Sequence, residues 1–116
     1  MSMIANIRDE SENGVPVVVI EGEIDASNSD EIRGRLRHAL TNQGTALVVD
    51  LTPTTYIDSA GINVLFQLGT ELKDRQQQLH LVVATPSPIA RMVTIVGLDS
   101  QVPTFSTREA AVAELD

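Results

Sequence analysis

Ser59 is the residue of this 116-residue chain best placed to do chemistry: it follows Asp58, precedes Ala60-Gly61, and stands where a helically spaced run begins. A hydroxyl there lies near unpaired backbone N–H groups and the positive end of a helix dipole. Two roles fit the position. Serine is a preferred N-cap, so Ser59 could simply close the helix start. Alternatively it accepts a phosphoryl group, which a helix terminus favours and which adds about −1.5 to −2 charges to the surface. A partner with an acidic patch would then be repelled. A unit like-charge pair at about 4 Å costs roughly 4 kcal/mol at an effective dielectric of 20, whereas hundredfold weaker binding needs only about 2.8 kcal/mol. One phosphate is enough for an off-switch.

Catalysis finds little support. A nucleophile elbow requires glycine two residues before its serine, and Ile57 stands there. His38 falls in a helical run and His80 near the start of a strand, at the sheet end opposite Ser59, so both read as surface or edge residues rather than general bases. Asp25 and Asp58 are two carboxylates without further oxygen ligands, a poor cation site, and each reads equally well as a turn-forming or solvated group. Thr54, Thr55 and Thr85 are further loop hydroxyls of minor standing as phosphosites. No glycine-rich phosphate cradle supports nucleotide binding, the absence of cysteine rules out a thiol switch and a zinc site of the usual Cys-rich kind, and no cofactor is expected.

The elements that position these residues follow from periodicity. A first strand is expected near Ile4 to Arg8, then a polar turn at Gly14, then the β-branched run Val15 to Ile20, whose continuity suggests cover on both faces. Asn28 to Leu40 carries Ile32, Leu36, Ala39 and Leu40 at helical spacing, with Asn28 as cap and Gly44 beyond the end. Ala46 to Leu51 reads as a strand and Thr52 to Ser59 as a loop. A helix from Ser59 follows, with Ile62, Leu65, Phe66, Gly69 and Leu72 on one face and a polar tail from Lys73 to Gln78. After a strand over Leu79 to Ala84, Ser87-Pro88 caps a helix with Ile89, Met92, Val93 and Val96 as its apolar stripe. A short strand near Val102 to Phe105 and a helix opened by Ser106, carrying Ala110, Val112 and Leu115, complete the chain. Strands alternating with helices imply a largely parallel sheet with right-handed crossovers. The segments Glu21 to Asp25, Thr52 to Ser59 and Thr85 to Ser87 should then gather as loops at the carboxyl ends of the strands.

Composition narrows the partner. Sixteen acidic against eight basic residues give a charge of −8, which repels a nucleic-acid backbone or an anionic membrane. The opening residues show no apolar core of signal-peptide length and no later run reaches membrane-span length, so a cytoplasmic protein is expected. A protein partner remains. With only Tyr56, Phe66 and Phe105 as aromatics, the core must be built from Val, Ile, Leu and Ala.

Gly22-Glu23-Ile24-Asp25, then Val48-Val49-Asp50-Leu51, then Tyr56-Ile57-Asp58-Ser59-Ala60-Gly61 resemble, in this order, the STAS domains of bacterial anti-sigma-factor antagonists. The similarity covers nearly the whole chain. It implies a single STAS-like α/β domain over residues 1–116, with a four- to five-stranded, mostly parallel mixed sheet and about four helices. It further implies a non-enzymatic regulator whose unphosphorylated form binds a serine-kinase anti-sigma factor and so frees a sigma factor. Phosphorylation maps to Ser59, with Asp25 beside it, and a phosphatase restores the binding form. Asp58, Gly61 and Ile62 join the partner-binding set: Gly61 as a point of close backbone approach or a tolerated helical glycine, Ile62 as an apolar anchor or a core residue. Asn63 stands where many members carry a second glycine, which implies a divergent kinase. An assembly or nucleotide-sensing module without phosphorylation is the alternative.

Overall fold

The computed structural model of the chain describes residues 5–40 and 44–115. Strands β1 (Ala5–Glu12) and β2 (Val15–Ile24) form an antiparallel hairpin. Its turn residues Asn13 and Gly14 have φ of 53° and 81°, the left-handed pair that suits a two-residue hairpin turn. The expected start of the first strand at Ile4 lies outside the described residues. Helix α1 (Ser29–Ala39), β3 (Ala46–Asp50), β4 (Thr54–Ile57), α2 (Ser59–Asp74), β5 (Gln78–Val82) and α3 (Pro88–Ile95) follow. A 3₁₀ turn over Leu98–Ser100, β6 (Thr104–Phe105) and α4 (Arg108–Ala113) end the order.

The strands lie β1-β2-β3-β5-β6, with all contacts after the hairpin parallel, and β4 pairs with the far end of β2. That gives six strands where four or five were expected. The additional one is β4, read from the sequence as loop because Thr54-Thr55-Tyr56-Ile57 is only four residues long. The Glu21 to Asp25 segment is corrected with it: β2 continues to Ile24 because β4 offers Thr54, Tyr56 and Ile57 as partners for Gly22, Glu23 and Ile24. The register shifts between Gly22 and Glu23, and Gly22 takes a φ of 104° that a glycine adopts freely.

Val17 to Ile20 are each at most 1% exposed, as their unbroken apolar run predicts. Val18 and Ile20 face the large core, with Leu47, Val49 and Leu81 beneath Ile32, Leu36, Leu65, Leu68 and Val93 of the helices. Val17, Val19, Val48 and Val82 face the other way, under Ala111 of α4. Helix α4 is capped by Thr107, whose hydroxyl accepts from Ala110 N at 3.1 Å, so the cap lies one residue beyond the expected Ser106. His80 is likewise not a surface residue. It is 3% exposed, with Nδ1 2.8 Å from the Ala111 carbonyl and its ring centroid 4.9 Å from that of Phe105. Its strand is covered by α4, which the spacing of one residue could not reveal.

The same face holds a closed ionic corner. Asp50 accepts from Thr52 N at 2.9 Å and Thr52 Oγ1 at 2.7 Å through one oxygen, and from Arg108 Nε at 2.9 Å through the other. Arg108 also reaches Glu10 at 2.6 Å. The Asp50 hydrogen bond, and secondarily that of Glu10, holds Arg108 above its ordinary range. The bond from Arg108, reinforced by Arg8, lowers Glu10 below the usual carboxylate value.

Candidate functional site

Ile24 and Ile57 are paired neighbours at the ends of β2 and β4, so Asp25 and Asp58 leave the sheet side by side. The Asp58 amide donates to the Ile24 carbonyl at 3.1 Å. Asp58, in extended backbone, is the N-cap of α2: its Oδ1 accepts from Ala60 N at 2.9 Å and Gly61 N at 3.2 Å. Its carbonyl takes Ile62 N at 3.0 Å. The capping role open to Ser59 is therefore filled by its neighbour. Ser59 is the first helical residue, exposed, and its hydroxyl has no hydrogen-bond partner among the described residues. The helix start is also less open to an anion than the sequence suggests, because a carboxylate already holds two of its amides.

Asp25 is half-buried and does not bond to Ser59. Its Oδ1 accepts from Ser27 N at 2.9 Å and Ser27 Oγ at 2.6 Å. Asn28, expected as the side-chain cap of α1, instead braces this turn, accepting from Asp25 N at 3.0 Å and donating to the Glu23 carbonyl at 2.9 Å. Gly61 has an internal reason to be glycine. A Cβ there would stand 2.6 Å from Ile24 Cγ2 and 2.7 Å from Ile57 Cγ1. The helix start presses against both strand ends, and that contact fixes where Ser59 projects. Ile62 is 6% exposed and belongs to the core, and it also lines a groove.

That groove, of about 480 Å³, separates the first turn of α2 from α3 and is lined by Ser59, Ile62 and Asn63 on one side and Arg91, Met92 and Ile95 on the other. Ile95 is 75% exposed, and Val96, expected in the buried stripe, is 43% exposed at the C-cap of α3. The helix ends there, so its last apolar positions run past the core. Helix α3 is held in place by the expected Ser87 cap, whose Oγ accepts from Ala90 N at 3.0 Å, with Pro88 in its first turn. Asn63, the departure from a second glycine, is exposed on the groove wall.

Arg91 is the groove residue that sequence reasoning missed. It is exposed and has no ion pair among the described residues. A signal was present in the charge pattern: no acidic residue stands between Asp74 and Asp99 in a chain otherwise rich in them. The remaining candidates are drawn elsewhere. Thr54 is 6% exposed, with Oγ1 donating to the Ile20 carbonyl at 2.6 Å, which removes it as a phosphosite. Thr55 and Thr85 are exposed and donate to the Gly22 and Val83 carbonyls at 3.2 and 3.3 Å. His38 is exposed in the last turn of α1. Among the described residues no three His, Asp or Glu side chains gather so as to hold a metal ion. No helix among them is long and apolar enough to cross a membrane.

Comparison with known proteins agrees with this frame. The STAS domain family model matches residues 6–111, and the chain belongs to that family. The anti-sigma-F factor antagonist RsfB of Mycobacterium tuberculosis is 33% identical over 100 residues, covering 86% of this chain and 80% of that protein. An anti-sigma factor antagonist from Mycobacterium paratuberculosis superposes with a TM-score of 0.79 at 23% identity, over 94% of this chain and 92% of the other. The Bacillus cell fate determinant SpoIIAA in its phosphorylated form superposes with a TM-score of 0.66 at 20% identity, over 96% of this chain and all of that one.

Proposed function

We propose that this chain is an anti-sigma-factor antagonist whose unphosphorylated form binds a serine-kinase anti-sigma factor and releases a sigma factor, with Ser59 as the switch. The observation that carries the reading is the hydroxyl of Ser59, which no other described residue engages. Asp58 caps α2 in its place, so Ser59 is exposed on a buttressed helix start with no structural duty of its own. The relatives named anti-sigma-factor antagonists and the neighbour known in a phosphorylated form support the same assignment. Asp58 precedes the acceptor, Asp25 leaves the neighbouring strand end, and in this reading both join the partner surface with apolar contact from the groove edge at Ile62. The protein itself is a binding partner, not an enzyme.

In this scheme the kinase brings ATP and its metal. The Ser59 oxygen bonds to the γ-phosphorus, the bond to the bridging oxygen breaks, ADP leaves, and a base of the kinase takes the hydroxyl proton. A dianion beside Asp58 then disfavours an acidic partner face by the few kcal/mol needed for a hundredfold loss. A phosphatase reverses the step with water, releasing inorganic phosphate.

The test is capture from native lysate with Ser59→Ala and Ser59→Asp baits, followed by phosphorylation of the wild-type chain with the retained kinase. Retention of an ATP-dependent serine kinase by the Ala bait only, and a phosphate mapped to Ser59 by mass spectrometry, are the expected results. Equal retention by both baits, or phosphate on another residue, would overturn the assignment.

A further inference from the structure

Arg91 is the arginine that the other described residues leave free. Among the described residues Arg8, Arg33, Arg35, Arg37, Arg75 and Arg108 each hold a carboxylate within 4.0 Å, and Arg91 holds none. In a chain with twice as many acidic as basic residues, an unpaired guanidinium is unexpected, and it lines the same groove as Ser59. Its backbone is fixed: Arg91 N donates to the Ser87 carbonyl at 3.0 Å in the first turn of a capped helix. Its side chain is unengaged among the described residues.

The opposite wall creates a demand for such a cation. Asp58 already holds the amides of Ala60 and Gly61, so a phosphate on Ser59 arrives beside a negative charge and finds those donors taken. The helix dipole offsets only part of that repulsion. A planar guanidinium matches two phosphoryl oxygens at once, which a point charge does not.

We propose that Arg91 clasps the phosphate on Ser59 in a bidentate pair that bridges α2 and α3 and closes the groove over Ile62 and Met92. The inference rests on Ser59 being the phosphorylated residue. It gives the switch two parts: the phosphate repels an acidic partner, and the clasp withdraws apolar surface between the two helices.

The experiment uses the full chain with phosphoserine incorporated genetically at position 59, so that no kinase is required. The second ionisation of the phosphate is followed by ³¹P NMR in the otherwise wild-type chain and in Arg91→Gln, Arg91→Lys and Lys73→Gln. A guanidinium favours the dianion, so Arg91→Gln should raise the midpoint by about half a pH unit or more, and Arg91→Lys by less. Asp58 caps the same helix start in every variant, so its influence is common to all. Lys73→Gln makes the same change of charge in the last turn of α2 and should leave the midpoint unmoved. Equal midpoints in wild type and Arg91→Gln overturn the clasp, as does an equal shift in Lys73→Gln. Failure of the switch itself reads differently: the phosphorylated chain would bind the captured kinase as tightly as the unphosphorylated one, whatever the ³¹P titration shows.

Discussion

Two corners of the molecule pair an aspartate with a nearby hydroxyl just beyond a strand, and they differ in what is left over. At Asp50, both oxygens are engaged: Thr52 gives one of them its amide and its hydroxyl, and Arg108 gives the other its guanidinium and continues to Glu10. At Asp58, among the described residues, the carboxylate takes only helix amides, Ser59 keeps its hydroxyl free, and Arg91 across the groove keeps its charge unpaired. The first corner ties α4 to β3 and β1. The second ties a helix to the sheet and still presents reactive groups to solvent. Residue type alone does not mark a functional site; unfilled bonding capacity on a rigid support does.

That contrast makes the closed corner the costlier one to disturb. Arg108→Ala leaves Asp50, whose side chain is 6% exposed, without its cation, and should lower the unfolding free energy by about 3 kcal/mol, near the low end for a broken buried pair because Arg108 is a quarter exposed. Urea unfolding measures it, and an effect no larger than that of a surface substitution would show the network to be incidental. Next comes the buttress of the open corner. Gly61→Ala drives a Cβ into Ile24 and Ile57 and should cost about 1–3 kcal/mol in the same assay, without any change to the groove's polar groups. A neutral result would mean that α2 can move away from the strand ends and that Ser59 is less firmly placed than argued.

The cap assignment has its own test, in adjacent residues. Asp58→Ala should cost about 1 kcal/mol, whereas Ser59→Ala should stay within about 0.5 kcal/mol of the parent while changing partner retention. The reverse ranking would return the capping role to Ser59. The smallest effect concerns pH. Glu10 is held below its ordinary value of 4.5 by Arg108 and then Arg8, so its contribution is full above that value and is lost as pH falls through the lower folded one. The gap in stability between wild type and Glu10→Gln should therefore be constant near neutrality and narrow under acid. A gap that widens on acidification would contradict the pairing.

The large elements were legible because their signals are local and repeated. The β-branched run Val15 to Ile20, the helical stripe through Ile62, Leu65 and Leu72, and the Ser87-Pro88 start of α3 each combine several residues with one periodicity. Strand β4 was not legible, since four residues carry no period and its partner is the tail of a strand some thirty residues away. The α4 cap was misplaced by one residue because Ser106 and Thr107 are chemically equivalent as caps and only packing of Ala111 against the sheet chooses between them. His80 was misread for a similar reason: burial by a helix from the far end of the chain leaves no mark near the histidine.

By itself the sequence determined the alternation of strands and helices, the net charge of −8, and the place of Asp58-Ser59 at a helix start, because periodicity, charge and capping chemistry are all encoded in residue types and their local spacing. Only the tertiary structure decided which of two adjacent residues caps α2, that Gly61 is held under Ile24 and Ile57, and that Arg91 shares a groove with Ser59. These depend on which side chain reaches which partner across elements, and such distances are set by the packing of the whole sheet and its helices rather than by neighbours in the chain.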